Sequence, residues 1–234
     1  MVALQTTTHF TNRMLRISLF PLFLLISPFS QAQFEGNECL DKHYAKKETI
    51  DWMLKNYRGF YNFQKTETIA SVGAGSGVRE IIYSMMADSL TIHLQDIDPV
   101  CLQPERLSLT IRQLYQIGGR TCSAFFIPVR GSEQETGLPS RFFDKIIIEN
   151  SLHEFTHSNE MLVSIRGNLK KNGYLFIGEL IARRKGQKHQ GCHRPLFTEE
   201  ALLQLMDLNG FRFVEKTVLD PNYPHDRVYR FALK

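Results

Sequence analysis

From residue 44 onward, short apolar runs alternate with segments in which apolar side chains recur every third or fourth position. Ile50, Met53, Leu54 and Tyr57 give the helical spacing over Tyr44–Phe63. Thr68–Val72 is apolar throughout and stops at glycine, as a buried strand does. Helical periodicity resumes over Ser76–Ala87 through Val78, Ile81, Ile82 and Met85. Leu90–Leu94 reads as the second strand, Pro99–Ile117 as a long helix ended by Gly118-Gly119, and Thr121–Val129 as the third strand. A polar loop over Arg130–Arg141 leads to a fourth strand at Phe142–Ile148. A helix over Asn159–Leu169, a turn at Lys171-Asn172-Gly173 and a fifth strand at Tyr174–Ile181 follow. Thr198 is placed to cap a helix running to Leu208, and Phe211–Leu219 and Arg227–Leu233 close the chain as two strands.

Strands separated by helices imply βαβ units and a parallel sheet. The last two strands have only a short polar link between them, so they are expected to pair antiparallel. The pattern therefore predicts a single doubly wound, Rossmann-like α/β domain. Its sheet has seven strands, mostly parallel, with an antiparallel C-terminal pair. Ligands of such sheets sit beyond the carboxyl ends of the strands.

The first forty residues break this pattern. Arg13 and Arg16 precede an apolar stretch, Ile17–Phe29, which ends in Ser30-Gln31-Ala32-Gln33. A basic start, a short apolar segment and a small-x-small exit make up a secretory signal, with cleavage expected after Ala32 and Met14 as a candidate true start. The expected organisation is a signal peptide over 1–32, a helical segment over 33–66 and the main domain over 67–234, exported to the periplasm or the outside. The apolar stretch is too short for a membrane span, so no integral membrane segment is expected in the mature chain.

The formal net charge of +4 is scattered, and the signal peptide removes two arginines without removing an acid, so no nucleic-acid partner is expected. The four cysteines, Cys39, Cys101, Cys122 and Cys192, show no framework spacing and are expected to be buried single thiols.

Candidate chemistry concentrates after the first strand. Ser71-Val72-Gly73-Ala74-Gly75-Ser76-Gly77 opens a helix, where glycines allow a sharp turn and free N–H groups accompany the positive end of the helix dipole. A dinucleotide fingerprint needs a third glycine at 78, where Val78 stands, so a nicotinamide-dependent oxidoreductase is disfavoured. The G-x-G-x-G spacing resembles the class I S-adenosylmethionine-dependent methyltransferases, from about Thr68 to Lys234. The Gln95-Asp96-Ile97-Asp98-Pro99 stretch is similar to that family's acid after strand two. So are Gly137-Leu138-Pro139, Phe143-Asp144-Lys145-Ile146, the Leu169–Tyr174 stretch and Asn209-Gly210-Phe211 to its later motifs.

The resemblance implies S-adenosylmethionine as cofactor, held by Ser71, Gly73, Gly75, Gly77, Asp96, Ile97, Ser132 and Asn150. Asp96 would take the ribose hydroxyls and Ile97 cover the adenine. Two positions depart from the family: Ser71 and Ser132 stand where it usually carries acids.

After strand four, Glu149, Asn150, His153 and Glu154 would lie beside the acceptor, with His153 or Glu154 as general base. The implied activity is methyl transfer to a small molecule or a protein side chain; a catalytically silent binding module on the same fold is the alternative. The basic segment Arg183–Leu196 would favour an acidic acceptor. It holds His189, Cys192 and His193, but no fourth ligand follows at finger spacing, so it reads as a solvated loop without a metal.

Overall fold

The apolar run Thr68–Val72 becomes β1, an inner strand of the sheet, in a computed structural model that describes residues 36–234. The signal peptide expected over 1–32 lies outside the described residues. The other strands are β2 (Thr91–Asp96), β3 (Phe125–Arg130), β4 (Phe143–Glu149), β5 (Leu169–Leu180), β6 (Phe211–Val218) and β7 (Asp226–Leu233). They lie in the order β3-β2-β1-β4-β5-β7-β6, with β7 antiparallel to both neighbours and the other pairs parallel. The expected seven-stranded fold is present. The order reverses beside β1, where β2 lies on one side and β4 on the other, and that reversal opens a crevice at the carboxyl edge.

Alternation along the strands sorts side chains between two helical layers. Ala70 and Val72 of β1, Ile146 and Ile148 of β4, and Leu175 and Ile177 of β5 form one core with α4 (Ser158–Asn168) and α5 (Glu199–Leu208). On the other face lie α1 (Lys47–Tyr61), α2 (Val78–Tyr83) and α3 (Pro104–Gly118), which touch one another. Phe176 points that way and meets the rings of Phe60 and Tyr61. Thr198 caps α5 as expected, its Oγ1 accepting from the Ala201 N–H at 3.2 Å. No helix among the described residues is long and apolar enough to cross a membrane.

Three element boundaries differ from expectation. The helix expected from Pro99 is interrupted: a 3₁₀ turn at Val100–Leu102 stops at an extended Gln103, and α3 begins at Pro104. A residue before proline is pushed out of the helical region, which accounts for the break. Strand β3 begins four residues late, at Phe125. Strand β5 begins at Leu169, because Leu169 pairs with Phe143 before a register shift carries the chain through the glycine turn.

The cysteines require a correction. Cys39 and Cys101 form a disulfide, while Cys122 and Cys192 remain free. The two partners are 62 residues apart, and their Cα atoms come to 5.5 Å only after α1 has packed on the sheet. The bridge pins the segment before α1 to the turn following β2. Asn37 reinforces it, donating to Thr110 Oγ1 at 3.0 Å and Gln113 Oε1 at 2.6 Å on α3.

Closing a loop of this length removes denatured-state freedom worth about 2–4 kcal/mol. Cys39→Ser is expected to lower unfolding stability by that amount in denaturant titration. Alkylation of the unfolded, unreduced protein should label Cys122 and Cys192 only; labelling of all four would overturn the pairing.

Candidate functional site

A cavity of about 570 Å³ opens at the carboxyl ends of β1, β2 and β4, where the strand order reverses. Its first wall is the turn after β1. Gly73, Gly75 and Gly77 have φ of +75°, +56° and +71°, a region closed to most side chains, so the apolar strand can enter α2 only through glycine. The turn is tied to β2 by Gly73 and Ala74 N–H groups donating to the Gln95 carbonyl at 2.9 and 3.0 Å. Asp96 ends β2 beside it. Its Oδ2 accepts from the Gly75 N–H at 2.7 Å and its Oδ1 from the Asp98 N–H at 2.9 Å, which orients the carboxylate. Ile97, 52% exposed, lies next to it on the cavity wall, followed by Ser132 and Glu133.

The opposite wall comes from the end of β4. Asn150, also left-handed at φ +53°, is held by its N–H to the Gly178 carbonyl at 2.7 Å, and Ser151, Glu154 and Phe155 continue the lining. Glu149 closes the floor. Its carboxylate accepts from Arg79 Nη1 at 2.6 Å and from the hydroxyls of Tyr83, at 2.7 and 2.8 Å, and Tyr61. Burial first, and then the Glu149 charge, push the Tyr61 and Tyr83 hydroxyls well above their usual pKa, so both stay protonated donors. Arg79 Nε also donates to the Tyr44 hydroxyl at 2.9 Å, bringing the segment before α1 over the cavity.

No family model matches the chain. The ribosomal protein L11 methyltransferase of Anoxybacillus flavithermus is 24% identical over 148 residues, covering 63% of this chain and 43% of that protein. The chain thus spans less than half the length of this curated relative. An S-adenosylmethionine-dependent methyltransferase from Aquifex aeolicus superposes with a TM-score of 0.56 at 14% identity, over 80% of this chain and 97% of that one. A Burkholderia thailandensis N1-methyltransferase, solved with 1,6-didemethyltoxoflavin and S-adenosylhomocysteine, gives 0.56 at 18% identity, over 87% and 84%. This chain has the class I methyltransferase fold.

The methyltransferase fold gathers most of the residues expected at its cofactor site. Gly73, Gly75, Asp96, Ile97, Ser132, Asn150 and Glu154 all line the cavity. Three expected residues do not. Gly77 ends the turn as the cap of α2, and a Cβ there would meet Leu94 Cδ1 at 2.9 Å, so its requirement is packing.

Ser71 is 1% exposed and turned away from the cavity, its hydroxyl donating to Glu80 Oε1 at 2.7 Å. The acid absent from β1 is supplied underneath the turn by α2. His153 is buried behind the rim, with its Nδ1 2.7 Å from Glu179 Oε2, and does not line the cavity. Burial lowers the pKa of its imidazolium, but the Glu179 hydrogen bond and charge, with the Glu154 charge, together leave it above the ordinary histidine value.

The same fold brings His189 and Cys192 to His153. Cys192 Sγ is 3.4 Å from His153 Nε2 and 3.3 Å from His189 Nδ1, so this part of the basic segment is not a free loop. His193 is exposed and stands apart from the cluster. Sequence reasoning missed Arg79 and left Glu149 without a partner. The one available signal was an arginine two places after Gly77, in the first turn of a helix that opens the site.

Glu80 is buried, and desolvation, partly offset by the Ser71 bond, pushes its pKa from 4.5 up to about 7. Below pH 4.5 both folded and unfolded forms carry the proton. Between 4.5 and 7 the unfolded chain ionises first, so stability falls as pH rises through this window. Glu80→Gln should abolish that fall and stabilise the protein at pH 8 by on the order of 2–3 kcal/mol, read in denaturant titrations across pH. Ser71→Asp sets a second carboxylate against Glu80 and is expected to destabilise the fold; an unchanged melting temperature at pH 8 would contradict the placement.

Proposed function

We propose that the chain binds S-adenosylmethionine and transfers its methyl group to a small molecule or a protein side chain. The observation that carries this reading is the Asp96 carboxylate. It is fixed by two backbone N–H groups at the end of β2 with lone pairs left for a ribose diol, beside a half-exposed Ile97 that can cover an adenine face. The glycine turn fits the same ligand: a Cβ at Gly75 would meet nothing within 4 Å, and the space it leaves belongs to the cavity. The volume is in the range of small-molecule sites. When bound, the cofactor supplies an activated methyl on a sulfonium.

The chain's own residues then orient and enclose. Asp96 and Ile97 hold the nucleoside end, and Ser132 and Glu133 lie beyond it. Asn150 and Glu154 lie on the acceptor side, and Glu154, half-exposed at the rim, is placed to take a proton from an acceptor. Proximity and in-line alignment supply most of what a methyl transfer needs. Arg194 of the basic segment lines the cavity and gives an acidic acceptor a partner. The name of the curated relative supports a protein side chain as one acceptor class. The Cys39–Cys101 bridge supports an oxidising compartment and hence export.

Asp96→Ala should weaken S-adenosylmethionine binding by about 1.5–3 kcal/mol, the scale of charged hydrogen bonds, in isothermal titration calorimetry. NAD should give no heat with the natural protein. Unaltered affinity for S-adenosylmethionine in a folded Asp96→Ala variant would sink the assignment.

A further inference from the structure

We infer that His153, His189 and Cys192 form a zinc site whose fourth coordination position opens toward the cavity. The three donor atoms lie within 4.8 Å of one another. With zinc–sulfur bonds of about 2.3 Å and zinc–nitrogen bonds of about 2.0–2.1 Å, tetrahedral coordination places neighbouring ligand atoms roughly 3.3–3.6 Å apart. The sulfur–nitrogen edge is the long end of that range, about 3.6 Å, and the Cys192 Sγ distances of 3.4 Å to His153 Nε2 and 3.3 Å to His189 Nδ1 lie within about 0.3 Å of it.

Hydrogen bonding among the three does not account for the arrangement. His153 turns Nδ1 to the Glu179 carboxylate, and its backbone N–H donates to the same carboxylate at 3.2 Å, so in the neutral imidazole Nδ1 holds the proton and Nε2 the lone pair. His189 Nδ1 faces the Cys192 N–H at 3.3 Å, so it carries a lone pair, and a metal would take that lone pair in place of this long contact. A thiol has one proton and cannot serve both nitrogens. Three lone-pair donors converging on one point are what a cation needs.

The surroundings are built to the same purpose. A carboxylate behind a ligating histidine fixes its tautomer and orientation and strengthens it as a ligand. Glu179 fills that place and is only 1% exposed. His189 and Cys192 stand three residues apart on a small hairpin. The His189 N–H donates to the Arg194 carbonyl and the Leu196 N–H to the Gln187 carbonyl, both at 2.9 Å.

Two imidazoles and a thiolate select zinc over the hard cations, which want oxygen. Three protein ligands are the pattern of sites that keep the fourth position exchangeable. Glu154 Oε1, 3.7 Å from His153 Nε2, lies beside that position, and both Glu154 and Cys192 line the cavity. As a ligand, His153 is no proton acceptor for the methyl acceptor. The assignment is independent of the methyl-transfer reading, because metal binding is read without S-adenosylmethionine.

The test is titration of the metal-free, unreduced protein with cobalt(II) in a Cys122→Ser background, which removes the exposed free thiol. One equivalent should produce a thiolate-to-cobalt charge-transfer band and a tetrahedral d–d spectrum, both erased by zinc. Cys192→Ser should lose the charge-transfer band. His189→Ala should weaken binding at least 100-fold, and Glu179→Gln 10- to 100-fold with the band retained. The first two variants lie on a surface hairpin, and metal-free melting curves verify that each folds. Azide should shift the d–d spectrum of the parent. Absence of the band in folded protein, or unchanged affinity in folded His189→Ala, overturns the site. A d–d spectrum indifferent to azide overturns the open fourth position.

Discussion

A carboxylate buried at the carboxyl end of β4 holds the site side of the molecule together. Glu149 receives Arg79 from α2, Tyr83 from the end of the same helix and Tyr61 from the last turn of α1. The partners reach it from two helices, α1 and α2, so the carboxylate fixes the docking of both on the central strand. The rings behind those hydroxyls pack together, Tyr61 edge-on to Tyr83 at 5.1 Å and Tyr57 tilted against both, which couples apolar packing to the charge. Breaking such a buried pair by removing one partner typically costs about 3–5 kcal/mol, because the other charge is left without compensation. Through Arg79 the same contact reaches Tyr44, and the disulfide at Cys39 holds that segment from its other side. The floor and one edge of the cavity therefore depend on a single ionised group.

Local features of the sequence were legible, and distant ones were not. The glycine turn could be read because an apolar strand that stops at three alternating glycines leaves the backbone few other conformations. Asp96 and Ile97 could be read because strand two ends there, beside that turn. The topology followed from the alternation of periods, since βαβ units leave little choice of order. Nothing local marks Glu149 as the partner of residues 66 to 88 positions away. The Cys39–Cys101 pair is hidden in the same manner. So is the meeting of His153 with Cys192, 39 residues on, which needs the hairpin to fold back over β5. The residue that joins His189 and Cys192 is distant along the chain and adjacent only in the fold.

Ser71 shows how a correct motif can mislead about a side chain. Where the family that the sequence resembles implies an acid, this strand holds serine, and the natural inference is a weakened cofactor contact. The fold instead moves the carboxylate to Glu80 on the following helix, where the Ser71 hydroxyl bonds it beneath the turn. With its pKa near 7, that acid is partly neutral at physiological pH and is sealed from the cavity. It supports the turn without contributing a dependable charge to a ligand.

The compensation for a cationic cofactor must then come from the cavity wall itself. Asp96, Glu133, Glu149 and Glu154 line it, against Arg79 and Arg194. Glu149 and Arg79 largely cancel each other at the floor. What remains on the lining is Asp96, Glu133 and Glu154, against Arg194. A sulfonium and an ammonium entering this field meet a surplus of carboxylates that holds without Ser71 being an acid. The basic hairpin then sets the other half of the selection. It brings Arg194 to an otherwise acidic rim and carries Cys192 to His153, on a segment that the sheet positions but does not contain.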